Sequence, residues 1–249
     1  MSKTIWSESY EEMSRLAAGL LVDTVRQNPH AVMVLATGHS PLLTYRYFVE
    51  RVKGEQIDLG GVTFIKLDEW MGLQPDDPAT CEYFIRTELL EPLGIREEQF
   101  LHVDPTGDGA AECARFREAY LTLPAPDLVI LGIGKNGHLG LNEPGETLSA
   151  VSHVIPLAEK TKTHEMLTHT ACPVTHGITM GIGELFRGRE ILLLADGEEK
   201  REALAAFLGD EITTACPVTL LKLHPNCTTI VNGKDFPRNP EGGIWKFDV

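Results

Sequence analysis

"PDLVILGIGKNGHLGLNEPG", Pro126 to Gly145, runs from a continuous apolar segment into a loop that holds five glycines, His138 and Glu143 between Leu131 and Gly145. An apolar run without polar alternation is the pattern of a strand buried on both faces, as in a parallel sheet. The loop that follows puts permissive backbone and a titratable pair at the carboxyl end of that strand, where open α/β sheets bind their ligands.

The same unit recurs on both sides of this stretch. "AVMVLAT" (31–37) is a short apolar strand followed by a turn and by "PLLTYRYFVERV" (41–52) at helical spacing. "GVTFIKLDEW" (61–70) reads as the next strand, and "CEYFIRTELLEPLGI" (81–95) and "GAAECARFREAYLTL" (109–123) read as helices. Farther on, "EILLLAD" (190–196) precedes the helical "EEKREALAAFLG" (198–209), and "CTTIVN" (227–232) is a last strand before a tail rich in proline and glycine. A first helix is expected from about Ser7 to Gln27, with Met13, Leu16, Ala17, Leu20, Leu21 and Val25 on one stripe and "NPH" as its stop. The expected fold class is α/β: a Rossmann-like, doubly wound, mostly parallel sheet with helices on both faces, in a single domain over residues 1–249.

Charge and composition narrow the functions. A formal net charge of −14 disfavours nucleic acid as a partner, and a small anionic ligand would need positive potential supplied locally. No apolar run approaches the roughly 20 residues that span a bilayer, so no membrane partner is expected. "MSKTIWSESYEEMSRL" lacks the apolar core of a secretory signal, so a cytoplasmic chain is expected. Cys81, Cys113, Cys172, Cys216 and Cys227 form no C-x-x-C and are expected to be reduced and mostly buried. Nothing in the sequence fixes an oligomeric state.

Three strand ends carry candidate chemistry. In "ATGHSP", Thr37, Gly38, His39 and Ser40 lie between a strand and a helix expected to begin at Pro41. Their N–H groups and hydroxyls can hold an anion, a phosphate monoester rather than a nucleotide, though the same residues also make a turn and cap. Asp68 and Glu69 close the strand "KLDEW"; neighbours on a strand point to opposite sides, so one of them faces a given pocket as base or as turn former. His138 and Glu143 read as an acid–base pair. No second His or Cys sits at ligand spacing around His138, so no metal is expected, and the absence of G-x-S-x-G leaves a serine nucleophile unsupported. Lys200, after "EILLLAD", is a candidate cation for an anionic ligand.

These segments in this order resemble the glucosamine-6-phosphate deaminase/isomerase family. "LATGHSPLLTY", "KLDEWMGL" and "GKNGHLGLNEPGETL" are most similar to its galactosamine-6-phosphate branch, over about Ala31 to His224. The resemblance implies that Asp68 moves a proton between C2 and C1 of the sugar, that His138 opens the ring with Glu143 as its partner, and that Thr37 to Ser40 and Lys200 bind phosphate. Asn136 stands where the glucosamine enzymes carry an aspartate; an amide cannot accept a proton but can hydrogen-bond a ring nitrogen. The family's phosphate-binding arginine has no counterpart in "AEKTKTHEML", which offers Lys160, Lys162 and His164. The implied activity is conversion of a 2-amino-2-deoxyhexose 6-phosphate, galactosamine 6-phosphate favoured, to a ketohexose 6-phosphate and ammonia without a cofactor. Glucosamine 6-phosphate deamination, lactone hydrolysis of the 6-phosphogluconolactonase type and a non-catalytic sugar-phosphate sensor are the alternatives. The sensor reading is weakened by the lack of room for a DNA-binding module before Ala31.

Overall fold

The computed structural model describes residues 3–168, 170 and 173–236. In chain order the strands and α-helices are β1 (Lys3–Ser7), α1 (Tyr10–Gln27), β2 (Val32–Leu35), α2 (His39–Glu55), β3 (Thr63–Lys66), β4 (Asp68–Trp70), α3 (Cys81–Ile85), α4 (Glu91–Leu93), β5 (Phe100–Leu101), α5 (Gly109–Thr122), β6 (Leu128–Gly132), β7 (His153–Pro156), α6 (Glu159–Lys162), β8 (His176–Thr179), α7 (Ile182–Leu185), β9 (Glu190–Ala195), α8 (Arg201–Leu208) and β10 (Cys227–Asn232). A π-helical turn, Arg86–Leu90, joins α3 to α4.

Seven strands form one sheet in the order β1-β10-β9-β6-β2-β3-β5, and every pairing in it is parallel. The chain winds outward from β2 through β3 to β5, then returns to β6 on the other side of β2. The switch point is therefore the β2/β6 boundary, where the loops after both strands diverge and leave a crevice. Successive residues of β2 show why its run is apolar throughout: Val32 and Val34 pack with Phe116, Tyr120, Leu204 and Phe207 on one face. Met33 and Leu35 pack with Leu21, Tyr45, Phe48 and Leu89 on the other. Helices cover both faces, as the continuous strands require. Among the described residues no helix is long and apolar enough to cross a membrane.

Several elements differ from the expectation. The segment at Ser7 is the end of β1, an edge strand paired with β10, and α1 begins later, capped by Ser9, whose side chain accepts from the Glu12 N–H. "GVTFIKLDEW" is two strands rather than one. After Lys66 the chain leaves the main sheet, and β4 enters a second, antiparallel sheet of order β4-β8-β7, with Asp68 opposite Thr179. Helix α2 starts at His39, two residues before Pro41. Proline is accommodated there because N–H groups of a first turn have no intrahelical partner. Cys81, Cys113 and Cys227 are buried and Cys216 half-buried, all unpaired; Cys172 lies outside the described residues.

Candidate active site

The loops after β2, β3, β6 and β9 surround a cavity of about 550 Å³, roofed by the segment around α6. Thr37, Gly38, His39, Ser40, Asp68, His138 and Lys200 all line it, so seven of the nine sequence candidates share one chamber. Glu143 and Asn136 stand behind His138 and do not line this cavity.

At one end lies the start of α2. Gly38 precedes it with φ +96°, a conformation that a side chain would strain. The first-turn N–H groups of this 17-residue helix have no intrahelical partner, and Gly38, His39 and Ser40 line the cavity, an arrangement that can hold an anion. Lys200 Nζ donates to Ser40 Oγ at 3.0 Å. Burial lowers the Lys200 pKa, with Glu199, Asp196 and Glu165 opposing that shift. The His39 side chain turns away to Asp196, Nδ1 to Oδ2 at 2.8 Å, and stacks on Tyr10 with ring centroids 4.7 Å apart.

Asp68 is 7% exposed. Burial pushes its carboxyl up to about 7, the neighbouring Glu69 adds to the shift, and the Cys81 thiol and Lys66 partly reverse it. Glu69, on the opposite side of β4, is fully buried and does not reach the cavity, in accord with the one-sided expectation. Its carboxylate accepts from the N–H groups of Trp70, Cys81 and Glu82 and from Lys66 Nζ, at 2.8–2.9 Å. Lys66 also donates to Glu82 at 2.9 Å and to the Val103 carbonyl at 3.0 Å. Burial opposes the charge on Lys66, yet Glu69 and Glu82 outweigh it and raise the pKa.

At the other end, Glu143 Oε2 lies 3.3 Å from His138 Nδ1 and accepts from the Asn136 amide at 2.8 Å. Asn136 was expected to be able to bond the ring nitrogen; its side-chain amide instead holds the carboxylate, and its Oδ1 accepts the His138 backbone N–H at 3.2 Å. Burial works to raise the Glu143 pKa, but its bonds to His138, Thr161 and Asn136 prevail and hold it at about 2. The glycines do more than let backbone approach a ligand. A Cβ on Gly134 would lie 2.2 Å from His138 Cδ2, so the imidazole occupies the space a side chain would fill.

Several cavity residues were not foreseen. Tyr10 comes from the start of α1, Trp70 from β4, and Thr161 from the roof, where its Oγ1 sits 3.3 Å from His138 Nδ1. Asp196 closes β9, and its position at a strand's carboxyl end was a usable signal. Of the three roof residues considered in place of an arginine, Lys160 and His164 line the cavity. Lys162 does not and pairs with Glu159 at 2.6 Å.

The chain matches the family described as glucosamine-6-phosphate isomerases/6-phosphogluconolactonase over residues 7–230. An inferred deaminase of Escherichia coli (strain K12), AgaI, is 43% identical over 225 residues, 90% of either chain. The glucosamine-6-phosphate deaminase of Thermoanaerobacter pseudethanolicus (strain ATCC 33223 / 39E) is 36% identical over 252 residues, 99% of either chain. A solved monomeric glucosamine-6-phosphate deaminase superposes with a TM-score of 0.88 at 30% identity, covering 94% of this chain and 98% of the other.

Proposed function

The chain belongs to the glucosamine-6-phosphate isomerase/6-phosphogluconolactonase family, as an enzyme of its amino-sugar-phosphate deaminase/isomerase type, and from that premise we propose that it deaminates galactosamine 6-phosphate to a ketohexose 6-phosphate and ammonia. The observation that carries this reading is the sharing of one cavity by a carboxyl poised near neutrality, Asp68, a histidine backed by a carboxylate, His138, and an anion site at the start of α2.

The phosphate occupies the Gly38–Ser40 turn beside Lys200, which holds the sugar carbons deeper in the cavity. His138 gives a proton to the ring oxygen, and the C1 hemiacetal hydroxyl loses its proton as the open aldehyde forms. Glu143, ionised across the working range, steadies the imidazole through Nδ1. Asp68 then removes the C2 proton to leave an enolate and returns it to C1, while the proton that nitrogen gives up as C2 becomes an imine passes to O1, which ends as the C1 hydroxyl. Water adds to C2, and the C–N bond breaks to release ammonia and leave the ketone. A carboxyl with a pKa of about 7 suits both directions of that transfer, because neither its acid nor its base form is scarce at neutral pH. Support for the galacto epimer is the loop "GKNGHLGLNEPGETL" with Asn136, whose residues resemble that branch.

Ammonia release by the purified protein from galactosamine 6-phosphate and from glucosamine 6-phosphate tests the reading. Higher kcat/KM on the galacto epimer is expected. Equal or reversed values would discard the substrate preference, and release from neither would discard the deaminase.

A further inference from the structure

His164 lies in the roof of the cavity and is half-buried against Trp70, with ring centroids 5.5 Å apart. Its Nδ1 accepts the Met166 backbone N–H at 3.2 Å. A nitrogen that accepts a hydrogen bond carries no proton, so the proton of the neutral ring is on Nε2. Nε2 has no hydrogen-bond partner among the described residues. It lies 3.5 Å from the point where a Cβ on Gly38 would be, so the donor edge looks onto the turn that begins α2. The neighbouring Trp70, 3% exposed, also lines the cavity and has an indole N–H without a partner among the described residues.

We propose that His164 is a phosphate-binding residue that acts as a neutral imidazole, donating Nε2–H to an oxygen of the substrate phosphate seated over Gly38. The assignment deepens the reading above and rests on its phosphate-bearing substrate. The electrostatics favour a neutral donor here. Lys200 already places a largely buried charge in this cavity, and its charge disfavours a second cation at His164. Burial holds the His164 pKa down to about 4; Glu165 opposes this, and His138, Lys200 and Lys135 reinforce it. The ring thus supplies directionality, as Lys200 supplies charge.

Calorimetric titration with inorganic phosphate, alongside KM and kcat for the amino-sugar phosphates, tests the assignment in wild type, His164→Phe and His164→Gln. Phenylalanine keeps a ring against Trp70 without a donor, whereas the glutamine amide nitrogen reaches roughly the place of Nε2. His164→Phe is expected to weaken phosphate binding about 10- to 100-fold, the range for one hydrogen bond to a charged group, with the loss appearing in KM more than in kcat. His164→Gln is expected to recover most of it. Wild-type affinity in the phenylalanine variant, equal weakness in both variants, or no binding of phosphate by the wild type would overturn the proposal. Ammonia release from neither sugar by the wild type would overturn the deaminase reading instead, and the phosphate titration would still judge His164.

Discussion

Lys66 and Glu69 meet in a 2.9 Å ion pair with neither side chain exposed, on the far side of β4 from the cavity that Asp68 faces. Leu67 separates the two sheets, so this pair, with Glu82, ties the end of β3 and the start of α3 to the strand that carries Asp68. Removing the cation leaves the Glu69 carboxylate fully buried with only backbone N–H donors, while Glu82 keeps Arg86 and His102. Lys66→Met is expected to cost about 3–5 kcal/mol of unfolding free energy in urea titration, the usual loss when one partner of a buried ion pair is deleted. Lys66 also draws the Asp68 pKa down, so any folded variant should show the acid limb of kcat/KM displaced to higher pH. An unmoved limb would show that the network serves the fold alone.

Asp68 carries a conflict between stability and chemistry. Its folded pKa is raised from 3.8 to about 7 by burial and by Glu69. A raised value means that the folded state prefers the protonated form, so this contribution to stability is complete below the unfolded pKa and is lost as pH rises through about 7. Asp68→Asn removes the ionisation while preserving shape. Its Tm should exceed that of the wild type at pH 8, and the gap should narrow as pH falls below about 7 and close only below the unfolded pKa of 3.8. Deamination should fall at least about 10³-fold, within the range for loss of a general base. A lactone hydrolysis driven by histidine-activated water would survive the change, so the two activities separate in this variant.

How much of this was legible in sequence follows the same physics. Strands β2, β6, β9 and β10 are buried on both faces, so each appears as an unbroken apolar run. Strand β1 lies at the sheet edge with Lys3 and Thr4 exposed, β5 is two residues long, and β7 alternates half-buried with exposed positions over only four residues; none makes a run that stands out. The break at Leu67 is a tertiary event, set by pairing of β4 with β8, and the letters on either side are equally strand-like. Asp68, His138, Ser40 and Lys200 could be found because they lie within a few residues of the carboxyl ends of β3, β6, β2 and β9. Tyr10, Thr161 and His164 reach the cavity from segments folded over it, and only His164 was considered, as a stand-in for an arginine.

Gly134 shows that the histidine loop is built around the ring it presents. Its φ is not in the left-handed region, so alanine is tolerated by the backbone, but the new Cβ would meet the imidazole at 2.2 Å and displace it. A displacement of about 1 Å at a reacting group costs on the order of 10²-fold. Gly134→Ala is therefore expected to lower kcat about 10²-fold and leave inorganic phosphate binding within a few-fold, because the atoms nearest the new Cβ belong to His138 and not to the Gly38–Ser40 turn or Lys200. Matched losses in both would mean that the loop, rather than the ring position, had collapsed.

Lys200 repeats on the phosphate side the compromise seen at Asp68. Its ammonium is largely buried and donates to the neutral hydroxyl of Ser40, and no ion pair within 4.0 Å accompanies it among the described residues. Burial lowers its pKa, so the folded state disfavours the charged form, and that penalty is present at neutral pH and relieved only as pH rises through the lowered value. In the function proposed above, a phosphate dianion supplies the missing counter-charge on binding. Lys200→Met should then raise Tm at pH 7 without ligand, while KM for the sugar phosphate rises at least about 10-fold, the loss of a charged hydrogen bond. Added inorganic phosphate should raise the Tm of the wild type more than that of the variant, since only the wild type gains an ion pair. An equal shift in both would place the phosphate elsewhere than beside Lys200.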